Sequence, residues 1–220
     1  MYETFLRNYE SYLKILDEET NLFPANIKKI LYNRQILEGA RHMLSQLNTV
    51  AQSLNVMQSD YSNIGDACNS WLTLLESPDL SEDMKSAIKR RMKVAVTPHH
   101  ILAQMVMNKE GCPIPVQMKE EAQVFLEKID GSFSGVLAAF EIQDTSIFPA
   151  SAFSAGIKSV LDPIKYWEYI SQRTELEPVI KFSQFAIKLL SCPPSSAGEW
   201  FIRSKNDCPW LLHYINNKDL

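Results

Sequence analysis

One long run of helically spaced residues constrains the fold most. Between Leu44 and Leu75, apolar or small residues recur in alternating steps of three and four, and no proline interrupts them. This spacing predicts a seam along one side of an α-helix. Other apolar residues widen the face, which favours a helix packed inside a helical domain over a free coiled coil. Gln58 and Gly65 are weak seam residues, so a break near Ser59-Asp60 is an alternative. The seam consists of Leu44, Leu47, Ala51, Leu54, Gln58, Tyr61, Gly65, Cys68, Leu72 and Leu75.

The remainder of the chain also favours helix. Only seven glycines occur in 220 residues, and the alternating pattern of a half-buried strand is absent almost everywhere. Residues 176–190 predict a strong amphipathic helix, which Pro193-Pro194 ends because proline cannot donate to the helical ladder. For the apolar patch 133–140, a short strand and a helix both fit. We therefore predict an all-α, or nearly all-α, fold.

Charge and hydropathy limit the function classes. The formal net charge is −4, which disfavours autonomous nucleic-acid binding. The basic cluster Lys85–Lys93 follows two acidic residues, and this order is typical of a solvated helix face that complements the helix dipole. No apolar run approaches the roughly 20 residues that span a bilayer, and residues 1–14 lack the layout of a signal peptide. We expect an intracellular chain, nuclear or cytoplasmic, without a membrane partner.

The usual catalytic and metal-binding motifs are absent from the sequence. It contains neither a glycine-rich phosphate loop nor an HExxH helix. His99-His100 with Cys112 is the nearest approach to a zinc site, but adjacent helical side chains diverge, so we interpret the histidines as a satisfied surface pair. Ser195 and Ser196 are interpreted as helix N-caps, not nucleophiles. The scattered cysteines predict free thiols; they are Cys68, Cys112, Cys192 and Cys208.

One C-terminal stretch carries a family resemblance. LLSCPPSSAGEWF, residues 189–201, resembles the signature of the C-terminal dimerisation region of hAT transposases. Trp167 in DPIKYWEY and the helix at 178–190 resemble that family's tryptophan and the helix after it. Upstream, QLNTVAQSLNVMQSDYSNIGDACNSWLTLLE and VTPHHILAQMVMNKEGCPI resemble segments of its helical insertion domain. The resemblance covers about residues 31–201.

The resemblance implies a fold and a possible metal ligand. In that family an RNase H-like core with three acidic ligands is interrupted by a large helical insertion. Glu199 resembles the third ligand, although Trp200 replaces the family's arginine and one residue before the glutamate is missing. The two strand-borne aspartates have no counterpart here. The chain therefore resembles a helical insertion-type domain, 1–150, and a partial dimerisation region, 151–220, without a complete catalytic sheet.

Two functions compete on this basis. The first is a non-catalytic, transposase-derived protein that associates as a homodimer or with a related transposase-derived protein, with weak DNA contact and no cofactor or metal. The alternative is a fragment of an active metal-dependent DNA transposase that needs missing N-terminal parts. In the first function, the apolar helix faces that the missing strands would cover are left open, and we expect them to form the protein–protein interface. The predicted interface residues are Trp167, Val179, Phe182, Phe185, Leu189, Trp200 and Phe201.

Overall fold

The protein is helical throughout the part of the chain that the structure describes. That structure, a computed structural model, describes residues 2–18 and 23–194, and no strand occurs in these ranges. The predicted all-α class is therefore confirmed for them. The elements are α1 (Tyr2–Glu18), α2 (Ala25–Leu31), α3 (Arg34–Met57), α4 (Ile64–Glu76), α5 (Glu82–Ala95), α6 (Pro98–Met105), α7 (Val116–Ile129), α8 (Gly131–Glu141), a 3-10 turn (Ala150–Phe153), α9 (Ala155–Val160), α10 (Pro163–Ser171) and α11 (Glu177–Leu190).

The long seam is divided between two helices. Helix α3 ends at Met57 and α4 begins at Ile64, so the break near Ser59-Asp60 is the correct alternative. A capping box starts α4: Asn63 Oδ1 accepts from the backbone N–H of Asp66 at 3.1 Å, and an Asp66 carboxylate oxygen accepts from the Asn63 N–H at 3.0 Å. These bonds satisfy backbone donors that a helix start leaves open, and they fix where the second helix begins.

The apolar patch at 133–140 is helical. It lies in α8. Asp130 caps the start of this helix, where its side chain accepts from the backbone N–H of Ser132 at 2.9 Å. Phe133, Val136, Leu137 and Phe140 are buried, at spacings of three, one and three. This is the period of one helical face, so the helix alternative is correct.

The main core is a single buried cluster that crosses position 150. Its members run from Ile64 to Cys192 and come mainly from α4, α6, α7, α8, α10 and α11, with Met92 of α5 and Ala152 of the 3-10 turn. The closest packing joins α10 to α11 and α4 to α6. Trp167, Tyr166 and Phe182 at its centre are fully buried. Residues on both sides of position 150, the domain boundary suggested by the sequence, thus belong to one cluster.

Helices α1, α2 and α3 lie outside that cluster. Helix α1 packs on α3, and the Tyr32 hydroxyl of the α2–α3 turn donates to Asp17 at 2.9 Å. Helix α3 packs on α4, and Val50 contacts a second, smaller cluster formed by Leu74, Leu80 and Ile88. Gln46 of α3 is buried, and its side-chain oxygen accepts from the Ser81 backbone N–H at 3.0 Å. The N-terminal helices are therefore joined to the core mainly through one side of α3.

Gly65 permits the close approach of α4 and α6, and its replacement provides a stability test. A Cβ at this position would lie 3.0 Å from the backbone carbonyl carbon of Ala103 and 2.8 Å from Met107 Sδ. We expect Gly65→Ala to destabilise the protein by about 1–3 kcal/mol, because the backbone of α6 cannot yield as a side chain can. Gly39→Ala is the matched control: no atom lies within 4 Å of its Cβ, so alanine should stabilise α3 by about 0.5–1 kcal/mol. Urea unfolding of both variants checks this; equal effects would contradict it.

Candidate association surface

The predicted interface residues within the described ranges lie in the interior. Trp167, Val179, Phe182, Phe185 and Leu189 are each at most 7% exposed. They stabilise the protein's own core and offer no accessible contact surface. The prediction assumed that missing strands would leave this apolar face open to solvent. In the structure the face is closed, so these five residues cannot form an interface.

Helices cover the face in place of strands. The Phe133 ring of α8 lies 5.4 Å from both Phe182 and Phe185 of α11. The Trp167 ring of α10 lies 5.4 Å from Phe182, and its indole N–H donates to the Val106 carbonyl at 2.8 Å. The tryptophan thus satisfies its one donor inside the core and links α10 to the end of α6.

The resemblance-based residues at the C-terminal end cannot be placed. Glu199, Trp200 and Phe201 lie outside the described residues, as do Ser195 and Ser196. Within residues 2–18 and 23–194, no group of three or more His, Cys, Asp or Glu side chains is arranged to hold a metal ion.

The described aspartates nearest in sequence to Glu199 have local structural roles. Each accepts from the backbone N–H of a residue two or three positions ahead, which caps a helix or closes a turn. Hydrogen bonding from the Ser132 hydroxyl and N–H holds the pKa of Asp130 below its usual range. None of these carboxylates converges on another. The acceptor–donor pairs are Asp130 with Ser132, Asp144 with Ser146, and Asp162 with Lys165.

The two adjacent histidines are buried, so their interpretation as a surface pair is wrong. His99 contacts the Phe125 ring, with centroids 4.6 Å apart, and His100 Nδ1 lies 2.9 Å from the Thr97 hydroxyl. Burial lowers the pKa of each to about 4, and the neighbouring His100 adds to the effect on His99. Both are therefore neutral in the folded protein near pH 7. The two side chains diverge as expected for neighbours on a helix, but neither reaches the surface because α6 is buried on every side from His99 to Met105.

A line of exposed apolar side chains lies along α3. Ile36, Met43, Leu47 and Leu54 are each between 37% and 46% exposed. At about 100° per residue, these four side chains fall within about 20° of one line along the helix. We call this set the α3 stripe. It spans about 27 Å, at a rise of 1.5 Å per residue.

The surface around the α3 stripe carries little charge. From Met43 to Met57, fifteen consecutive residues include no Asp, Glu, Lys, Arg or His. The charged residues of α3 occur before this segment, and Arg34 forms an ion pair at 2.8 Å with Glu38 on the side of the helix away from the stripe. Exposed helix surfaces normally carry interspersed charges, and depletion of charge is typical of the centre of a protein interface.

The sequence predicted the apolar residues of this surface only in part, and it did not predict their exposure. Leu47 and Leu54 belong to the predicted seam, but we assigned that seam to the interior of a helical domain. The structure buries the seam in α4, where Cys68 and Leu72 are core residues, and leaves much of it exposed in α3. The absence of charge from 43 to 57 was the signal that could have distinguished the two halves.

The basic cluster forms an exposed helix face, as predicted. It lies on α5, which buries Ile88 and Met92 and exposes Lys89, Arg90 and Arg91. Glu82 and Asp83 occupy the first turn and Lys93 the last, which complements the helix dipole. Among the described helices, none combines the length and apolarity needed to cross a bilayer.

Comparison of the chain with protein-family models, with curated proteins and with solved structures found no match.

Proposed function

We propose that this protein is a non-catalytic, helical association module that binds another protein chain through its N-terminal helices. The observation that carries the proposal is the α3 stripe, three of whose four residues lie within a fifteen-residue segment free of charge. Contiguous exposed apolar surface bounded by polar residues marks interaction sites in soluble proteins. The partner is a second copy of the chain or a related protein.

The arrangement of the core supports association without catalysis. Helices α6, α7, α8, α10 and α11 close on one another through aromatic and aliphatic contacts. The polar side chains buried among them serve capping and packing: Ser183, for example, donates to the Val179 carbonyl at 2.8 Å. A reaction would need converging acids, bases or ligands, and Asp130, Asp144 and Asp162 are each engaged singly at a helix start or a turn.

We further propose that the chain derives from a hAT-type transposase and acts within DNA-associated complexes in the nucleus or cytoplasm. The support is the sequence resemblance of residues 31–201, together with a helical architecture of the kind expected for an insertion domain. In this role, DNA contact is weak and charge-driven, and α5 is the surface that would provide it. Raising the salt concentration should abolish such binding.

Light scattering of the purified full chain tests the association. At roughly 100 µM, which exceeds the dissociation constants of many transient complexes, we expect a mass approaching twice the 25.1 kDa of one chain. A mass of 25.1 kDa at every concentration would contradict self-association as the function.

Calorimetric titration with Mg²⁺ or Mn²⁺ tests the alternative of a transposase fragment. If the protein acts only by association, we expect no tight binding of either metal ion. Tight binding that Glu199→Gln abolishes would favour metal-dependent DNA chemistry, because several carboxylates must then converge on the ion.

A further inference from the structure

The spacing along the α3 stripe is symmetric. Ile36, Met43, Leu47 and Leu54 are separated by seven, four and seven residues. If two copies of α3 pair antiparallel about a two-fold axis at residue 45, Ile36 faces Leu54 of the second copy and Met43 faces Leu47. A two-fold interface uses the same patch on both chains, so the patch must be complementary to itself. The stripe meets this condition at all four positions.

We propose that the partner at the α3 stripe is a second copy of this chain, paired with antiparallel α3 helices centred on residue 45. The inference rests on the proposed association and specifies its partner and geometry. Steps of seven and four match the seam of a paired helix, in which apolar side chains recur every three to four residues. The 24-residue helix, about 36 Å long, provides one continuous surface for the pairing.

Charge and the helix dipole agree with this arrangement. Antiparallel pairing sets the positive N-terminal end of one α3 beside the negative C-terminal end of the other, whereas parallel pairing sets like ends together. The last turn of α3 has no basic residue. In the antiparallel register, Arg34 in the first turn comes level with residue 56 of the second copy. No ionised side chain enters the seam, so the dimer should be insensitive to salt.

The flanks of the stripe leave it accessible to a helix. Ala40, about 40° to one side, is buried. On the other side Val50, about 40° away, contacts the second cluster, and Gln46, about 80° away, is buried against the start of α5. Each flank is thus covered by the chain's own elements, while the line between them is open. A helix from a second copy would occupy this gap and cover the four exposed side chains.

Cysteine cross-linking of the full chain tests the register. Ile36→Cys and Leu54→Cys are made separately, with Cys112→Ser and Cys208→Ser in both, while buried Cys68 and Cys192 remain. Mild oxidation of the mixture should give a disulfide-linked dimer that contains one of each variant. Each variant alone should remain unlinked, because residue 36 lies about 27 Å along the axis from its own copy. Efficient linking of Ile36→Cys to itself would indicate parallel pairing and overturn the proposal.

Leu47→Glu tests the surface independently. A glutamate here would be buried without a partner in the dimer, so the dissociation constant should rise at least about 100-fold while the helical circular dichroism is retained. The matched control is Val94→Glu, which alters an apolar residue of α5 that is more exposed than Leu47, at 80% against 42%, and should leave the dimer intact. A dimer that survives Leu47→Glu overturns this geometry and leaves the association proposal standing. A wild-type monomer overturns this geometry and self-association together, and leaves association with a related protein as the only form of the proposed function.

Discussion

Trp167→Ala is expected to destabilise the protein more than any other single truncation considered for this chain. The indole is fully buried, lies 4.9 Å from the Phe140 ring and 5.4 Å from Phe182, and donates to the Val106 carbonyl. Truncation of a core tryptophan costs about 3–5 kcal/mol through lost burial and the cavity left behind. Proteins of this size are commonly stable by only about 5–15 kcal/mol, so the midpoint of urea unfolding should fall sharply.

Two further variants distinguish the contributions to that loss. Trp167→Phe retains most of the apolar contact but leaves the buried Val106 carbonyl without its donor, which should cost about 1–3 kcal/mol. Tyr61→Ala truncates an aromatic residue that is 95% exposed and should change stability by less than about 0.5 kcal/mol. A Trp167→Ala protein as stable as Tyr61→Ala would contradict the placement of this residue at the centre of the core.

Acidification should produce the second large effect, through the buried histidines. Burial lowers the folded-state pKa of His99 and His100 to about 4, below the ordinary value of 6.5. The unfolded chain therefore binds protons that the folded chain excludes, so their contribution is present above about pH 6.5 and is lost as the pH falls towards 4. A shift of this size corresponds to about 3 kcal/mol for one histidine. Urea unfolding at a series of pH values measures the loss.

Histidine variants separate this effect from the titration of carboxylates. His99→Leu retains an apolar contact with Phe125 and removes one titrating group, so the loss of stability between pH 6.5 and pH 4 should become smaller. His42→Leu, at an exposed position of α3, is the matched control for the replacement of a histidine by leucine. An unchanged loss in His99→Leu would contradict a buried, neutral His99.

The predictable part of the fold followed from local patterns. Local patterns of apolar and charged residues were sufficient to predict the helical class, the amphipathic helix that became α11 and the helix that carries Lys85–Lys93. These patterns depend on the helical period and on caps, which act over a few residues. The break in the long seam also had a local cause, the capping box at Asn63, and the polar side chain at Gln58 gave a hint of it.

The assignment of interior and surface was less predictable. An amphipathic face shows that a side of a helix avoids water, and it does not reveal whether the same chain or another one covers it. Phe182 and Phe185 are covered by α8, α10 and their neighbours, whereas Leu47 and Leu54 lie on a similar seam and remain exposed. The difference depends on contacts between residues distant in sequence. The same is true of His99, which is buried because α6 is packed on several sides.

A dilution series of methyl NMR spectra tests the central claim most directly, because it shows which apolar surface changes when chains associate. We expect the methyl signals of Met43, Leu47 and Leu54 to shift with protein concentration and those of Val179 and Leu189 to stay constant, since the latter are enclosed by the chain's own helices. Val94 on α5 serves as an exposed reference that should not shift. Concentration-dependent shifts confined to Val179 and Leu189, or no shifts anywhere, would contradict association through α3.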